Sequence, residues 1–86
     1  MRFEGDRLLV NLHAPRGALR AELQDATGHA IEGFSLADAV PTRGDGLDLA
    51  VKWRNGELRA LSGKPVRVRF ELTDGSLYSF RFAKQS

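Results

Sequence analysis

The chain has no cysteine, so no disulfide staples it, and the usual marker of a small extracellular domain is missing. It has no apolar run of 18 residues, which excludes a membrane-spanning helix. Residues 1–7 carry acidic residues and glycine where a signal peptide would be basic and then apolar. We therefore expect a chain that is neither exported nor membrane-spanning as written. A domain of a longer secreted protein would look the same and would be extracellular or periplasmic, so the compartment stays open.

Blocks of one charge sign are also missing. The net charge is only +2, and acidic residues such as Glu22 and Glu71 lie among the arginines. A nucleic-acid binder usually concentrates Lys and Arg on one stripe with aromatic or helical readers, so we do not expect a nucleic-acid partner. At 86 residues, without a linker or repeat, the chain is expected to form a single domain, 1–86.

Hydrophobic residues recur at every second position, and turn residues arrive at intervals of about 8 to 12 residues, which is typical of an all-β domain. The pattern predicts six strands, at 7–13, 18–24, 29–34, 47–54, 66–73 and 77–83. We expect them to pair mainly antiparallel in two sheets. The predicted fold is thus a small antiparallel β-sandwich of jelly-roll type, with one layer of side chains between the sheets.

Short turn signals separate most of these strands. Residues 14–17, Ala-Pro-Arg-Gly, are expected to end the first strand, and Asp25 to Gly28 reads as a type I turn between the second and third. The second and third strands are expected to form a hairpin, and residues 73–76 to make the turn between the last two strands. In residues 57–63 we expect at most one helical turn, with Leu58 and Leu61 as a plug over one end of the core.

A longer segment, residues 35–46, is predicted to cross irregularly between the sheets, because Pro41, Gly44 and Gly46 oppose regular pairing. Loops of this kind often carry function. The segment and the strand after it supply the candidate ligand-binding residues, which are Asp38, Arg43, Asp45, Asp48, Trp53 and Arg54.

Trp53 has two interpretations. A pyranose ring packs well on an indole, so the side chain could be a sugar platform at a strand end. The alternation with Leu49 and Val51 instead points it into the core, which we favour.

Other chemistry is weakly indicated. Ser35 lies in a sequence that approximates a hydrolase elbow, but no large α/β sheet surrounds it, so we expect a serine bonded to nearby backbone. His13 and His29 have no metal-ligand spacing and are expected at the surface or at strand ends. The aspartates do not match a calcium loop, and Asx-type capping is the favoured role for them. Arg43-Gly44-Asp45 is explained by turn chemistry. We predict no catalytic residue, no metal and no cofactor.

The alternation of the predicted strands places six basic side chains on the outward-facing side, which are Arg20, Lys52, Arg54, Arg67, Arg69 and Arg81. One interpretation is a solvated sheet face with cross-strand Arg–Glu pairs, to which Glu22 and Glu71 contribute. The other is a surface for the carboxylate or sulfate groups of an anionic glycan, or for a neighbouring domain, since guanidinium groups bind such anions bidentately.

The order of motifs carries a family resemblance. It runs through Leu19-Arg20-x-Glu22-Leu23-x-Asp25-x-x-Gly28, Gly33-Phe34-Ser35-Leu36-x-Asp38, Gly44-Asp45, Val51-x-Trp53, Gly63-Lys64-Pro65-Val66-Arg67-x-Arg69-Phe70 and Leu77-Tyr78-Ser79-Phe80. This succession resembles the C-terminal sandwich of bacterial proteins related to glycoside hydrolases of the invertase and levanase type. The resemblance covers nearly the whole chain. The family's D-x-D-P pattern is replaced here by Asp38-Ala39-Val40-Pro41, which puts a paired-aspartate site in doubt.

In those relatives a catalytic propeller precedes the sandwich, and its acidic residues have no counterpart in this chain. The resemblance implies a non-catalytic accessory module that binds a polysaccharide or oligosaccharide. The alternative is a structural domain that docks on an upstream catalytic propeller or forms a homodimer. Polyanion binding through the arginine face is a third and weaker expectation, which predicts steep salt dependence.

Overall fold

A computed structural model describes residues 5–54 and 56–84. Its strands are β1 (Arg7–Gln24), β2 (Ala39–Val40), β3 (Thr42–Trp53), β4 (Arg67–Thr73) and β5 (Ser76–Ala83), with short 3-10 helices at Leu36–Asp38 and Leu58–Leu61. The strands pair antiparallel in one curled five-stranded sheet, which confirms the all-β class. The division into two sheets stays a prediction. No helix in the described part is long and apolar enough to span a membrane.

The sheet is organised around β1, which has 18 residues. A straight strand of that length would reach about 60 Å, whereas the longest axis of the molecule is 32 Å. The strand therefore bends sharply. The core residues of β1 stand at even positions up to Ala14 and at odd positions from Leu19 onward, so the bend lies between them, at residues 15–17. The predicted turn at 14–17 was wrong, because the chain bends there without leaving the strand.

Two glycines make room for this bend. A Cβ atom on Gly17 would lie 1.8 Å from the carbonyl oxygen of Thr73. A Cβ atom on Gly75 would lie 2.6 Å from the carbonyl oxygen of His13 and 2.7 Å from the Cβ atom of Ala14. Both backbones approach their neighbours more closely than any side chain allows, so the two sides of the bend are held together at glycine positions.

The last two strands each pair with β1 and not with each other. β4 pairs with the second half of β1, where Ala18 lies opposite Thr73, and β5 pairs with the first half, where His13 lies opposite Ser76. They follow each other along the same edge of β1 and run in the same direction. Residues 73–76, predicted as a turn, instead lie beside the bend in β1 and connect β4 to β5 there. Asp74 in this connection has a left-handed φ of 50°.

Two other predictions were wrong in part. Residues 29–34 form no strand. The segment makes one isolated bridge, between Gln24 and Ala30, and then turns, because the Phe34 N–H donates to the Ile31 carbonyl. The irregular crossing at 35–46 ends early, because β3 begins at Thr42. Gly44 and Gly46 do not stop the strand; they pair with Ala14 and Leu12.

The core lies on one face of β1 and is closed by apolar side chains from the rest of the chain. Its buried members are Leu8, Val10, Leu12, Ala14, Leu19, Ala21, Leu23, Phe34, Ala39, Val51, Trp53, Leu58, Leu61 and Val66. Leu58 and Leu61 belong to the second 3-10 helix, so the predicted plug is confirmed. The predicted turn at 25–28 is also present, with the Gly28 N–H bonded to the Asp25 carbonyl at 3.0 Å.

Candidate anion-binding cleft

The predicted site residues do not come together in one place. Residues 43, 45 and 48 lie along strand β3 and not on a loop, and their side chains are exposed. The six residues fall into separate environments.

Trp53 is a core residue. Only 6% of its surface is exposed, its ring packs edge-on against Phe34 with centroids 5.3 Å apart, and its Nε1 donates a 2.8 Å hydrogen bond to the Ala21 carbonyl. A sugar ring needs an open indole face, and here the faces are packed inside the protein. The favoured core interpretation is confirmed, and the sugar platform is excluded.

Asp38 and Arg54 lie side by side at the far end of β3. The Arg54 N–H donates to the Asp38 carbonyl at 2.9 Å. The Ser35 hydroxyl accepts from the Asp38 N–H and donates to the Asp38 carboxylate at 2.9 Å, and so caps the first 3-10 helix. This confirms the bond to nearby backbone that was predicted for Ser35. The Asx-type capping predicted for Asp38 was wrong, because its carboxylate accepts from the Ser35 hydroxyl.

Asp45 faces a histidine across the sheet. The two residues are register partners on β3 and β1, and the His13 Nδ1 atom lies 3.3 Å from the Asp45 Oδ2 atom. Both side chains are at least half exposed, so water screens this pair strongly.

Asp48 occupies an irregularity in β3. Three residues of β3 span the interval that two residues of β1 cover between Val10 and Leu12, and Asp48 takes a left-handed φ of 55°. Its N–H donates to the Asn11 Oδ1 atom at 3.0 Å, and its carboxylate pairs with the Arg81 guanidinium, with both contacts at 3.3 Å. Its neighbour Leu47 is turned outward and is 79% exposed.

Arg43 takes part in a different arrangement, at the bend of the sheet. A surface cleft there, which we call the arginine cleft, is lined by Arg16, Gly17, Ala18, Arg20, Arg43, Glu71 and Thr73. Arg16 lies in the bend of β1, Arg20 follows in the second half of the same strand, and Arg43 comes from the start of β3. The bend therefore brings together basic side chains that a straight strand would separate.

The charge of the arginine cleft is uneven. Three guanidinium groups line it with a single carboxylate, that of Glu71. In the described part of the chain, the side chains of these arginines make no ion pair or hydrogen bond, so their donors face solvent. Arginine forks bind carboxylate, sulfate and phosphate groups bidentately, and the cleft can therefore hold anionic groups.

Arg20 is the only member of the predicted outward set that lines this cleft. Arg16 was missed because its position was predicted to be a turn between two strands. The predicted cross-strand Arg–Glu pairs are placed in register, Glu22 opposite Arg69 and Arg20 opposite Glu71. Neither pair forms an ion pair within the described residues, where Glu22 instead accepts a hydrogen bond from Gln24.

A second cleft lies near the other end of β3. It is lined by Asp6, Val51, Lys52, Trp53, Gly56, Glu57, Leu58 and Arg59, so two acidic groups balance two basic groups. This balance gives the cleft no preference for a charged ligand. Within residues 5–54 and 56–84, no three His, Asp or Glu side chains gather where they could hold a metal ion.

The fold and the cleft together define a small all-β domain with a basic groove on its surface. Comparisons of the chain with protein-family models, with curated proteins and with solved structures gave no significant match.

Proposed function

We propose that the protein is a non-catalytic binding module for an acidic polysaccharide and that the arginine cleft is its binding site. The single observation that carries this proposal is the convergence of Arg16, Arg20 and Arg43 on one open groove with only one carboxylate. The resemblance to the C-terminal sandwich of invertase-type and levanase-type proteins supports an accessory role. In the same proposal, the two halves of the bent sheet act as the two layers of that sandwich.

The chemistry of the groove favours uronate or sulfate groups over neutral sugars. Each guanidinium presents several N–H donors in a fixed plane, which match the two oxygens of a carboxylate or sulfate. An exposed aromatic platform for a neutral pyranose is not part of this groove, since its lining contains no aromatic residue. The exposed position of the arginines also predicts that added salt weakens binding.

Affinity gel electrophoresis tests the proposal. The protein is run through gels that contain an acidic polysaccharide, such as polygalacturonate or a sulfated galactan, and through gels with a neutral fructan. We expect retardation by the acidic polymers only. Arg43→Gln should weaken it, while Arg7→Gln, which removes the same charge from an exposed site at the start of β1, should leave it unchanged. Equal loss in both variants, or retardation by the fructan alone, would contradict the proposal.

A second candidate function is that of a docking or self-associating domain. It is favoured by the apolar side chains exposed on β4 and β5, where Leu72 is 37%, Tyr78 72% and Phe80 39% exposed. In the longer proteins that the sequence resembles, the surface they form would meet an upstream catalytic domain. Light scattering on this chain, alone and mixed with such a domain, tests it: a complex with the domain supports docking, and its absence with a monomeric chain contradicts it.

A further inference from the structure

One edge of the sheet has no partner in the described chain. β4 pairs with β1 on one side, and no other described strand pairs with it on the other. Its seven residues contain neither proline nor glycine, and none of them is fully buried. Natural edge strands are usually shortened, bulged or covered, because their free N–H and C=O groups invite pairing with another chain.

The two faces of β4 differ in character. Val68, Phe70 and Leu72 point to the concave side, opposite the buried residues Leu23, Ala21 and Leu19. Arg69 and Glu71 point to the outer side, and neither forms an ion pair within the described residues. The strand thus presents an apolar row and an unpaired charged row side by side.

These rows are self-complementary in one antiparallel register. With Phe70 opposite Phe70 of a second copy, Arg69 lies opposite the second copy's Glu71, and Val68 lies opposite its Leu72. The rows that cross the joined sheets then run Arg20, Glu71, and the second copy's Arg69 and Glu22, because β1 already sets Arg20 beside Glu71 and Glu22 beside Arg69. Charge alternates along each row, which stabilises cross-strand pairs.

The neighbouring registers are worse. A slip of one residue turns the apolar row of one copy onto the charged face of the other. A slip of two residues sets Glu71 opposite Glu71 or Arg69 opposite Arg69, which places like charges in direct contact. The register centred on Phe70 is the one that satisfies both faces.

We propose that β4 pairs with β4 of a second copy in this register and that the protein forms a two-fold symmetric dimer with a continuous sheet. The occupant of the free edge is therefore the chain itself. The pairing also covers Leu72, which is 37% exposed in the single chain. This interface lies beyond the proposed glycan function and is tested without any glycan.

Sedimentation equilibrium of three proteins and one mixture tests the register. The unmodified chain should show a mass that rises with concentration to twice the 9.5 kDa of one chain. Arg69→Glu and Glu71→Arg each replace two opposite-charge contacts by two like-charge contacts, so each should self-associate on the order of 30-fold more weakly. An equimolar mixture of the two variants should recover the dimer, because both charged contacts between the two copies are again between opposite signs.

Arg59→Glu is the control, since it makes the same charge change on the second 3-10 helix and should leave the dimer intact. If a charge variant does not fold, Leu72→Lys takes its place, because a lysine on the edge opposes pairing. A chain that stays monomeric at every concentration would overturn the proposal. So would single variants that dimerise as well as the unmodified chain, or folded variants whose mixture remains monomeric.

Discussion

The Asn11 side chain accepts the backbone N–H of Asp48 through its Oδ1 atom, at 3.0 Å. Its Nδ2 atom donates to the Ser79 hydroxyl at 2.6 Å on the opposite neighbouring strand. At both places the register shifts, between Val10 and Leu12 on the β3 side and between Asn11 and Leu12 on the β5 side. One amide in the central strand thus connects two bulges and holds the left-handed Asp48 backbone.

Replacing that amide should loosen both bulges. Asn11→Ala removes an acceptor from Asp48 and a donor from Ser79, and we expect it to lower the free energy of unfolding by about 1–2 kcal/mol, as measured by urea denaturation. Ser79→Ala removes only one of the two bonds and serves as the matched control. A loss in Asn11→Ala no larger than in the control would show that the Asp48 contact is unimportant.

The bend in β1 depends on a glycine with no space for a side chain. Gly17→Ala places a Cβ atom 1.8 Å from the Thr73 carbonyl oxygen, so we expect a loss of more than about 4 kcal/mol or no folding at all. Gly44→Ala is the comparison, because nothing lies within 4 Å of its Cβ and only its φ of 104° is unfavourable. Circular dichroism during thermal unfolding measures both. A milder effect at position 17 than at position 44 would contradict this account of the bend.

Trp53 should behave as a core residue in solution. Trp53→Ala is expected to cost about 3–5 kcal/mol through the cavity it leaves. Trp53→Phe keeps an aromatic ring but removes the indole donor to the Ala21 carbonyl, and we expect a loss of about 1–3 kcal/mol. Denaturant titration followed by circular dichroism gives both values. A folded Trp53→Ala protein with unchanged stability but no glycan binding would restore the platform interpretation.

The turn at 25–28 predicts a pH effect. The Asp25 carboxylate accepts from the Thr27 hydroxyl, and then from the His29 and Thr27 backbone N–H groups, and these bonds hold its pKa below the ordinary value. The folded state therefore favours the charged form. The resulting stability is present above the unfolded pKa and is lost as the pH falls through the lower, folded pKa. An NMR titration of the Asp25 side-chain carbon should show a depressed midpoint; a midpoint at or above that of a free aspartate would contradict the turn geometry.

Local patterns in the sequence predicted local features well. The alternation through Val51 and Trp53 placed the indole in the core, the spacing of Leu58 and Leu61 predicted the plug, and Asp25 with Gly28 predicted the turn. Each of these depends on residues close together in the chain.

The predictions that were wrong at the bend depend on contacts between residues far apart in the chain. A proline and a glycine at positions 15 and 17 are typical of a turn, and the sequence alone does not show that β4 and β5 continue along the edge of β1 across the bend. In the sequence, the alternating apolar residues stand at even positions up to Ala14 and at odd positions from Leu19 onward, and this change was a usable sign of an irregular continuous strand. The arginine cleft was missed for the same reason, because Arg16, Arg20 and Arg43 meet only once the strand bends.

An NMR titration of the arginine side-chain N–H signals with an acidic oligosaccharide tests whether the arginine cleft is the binding site. We expect the signals of Arg16, Arg20 and Arg43 to move together and saturate while those of Arg7, Arg54 and Arg59 stay in place, as binding in the cleft requires. Shifts spread evenly over all arginines, or confined to residues outside the arginine cleft, would contradict it.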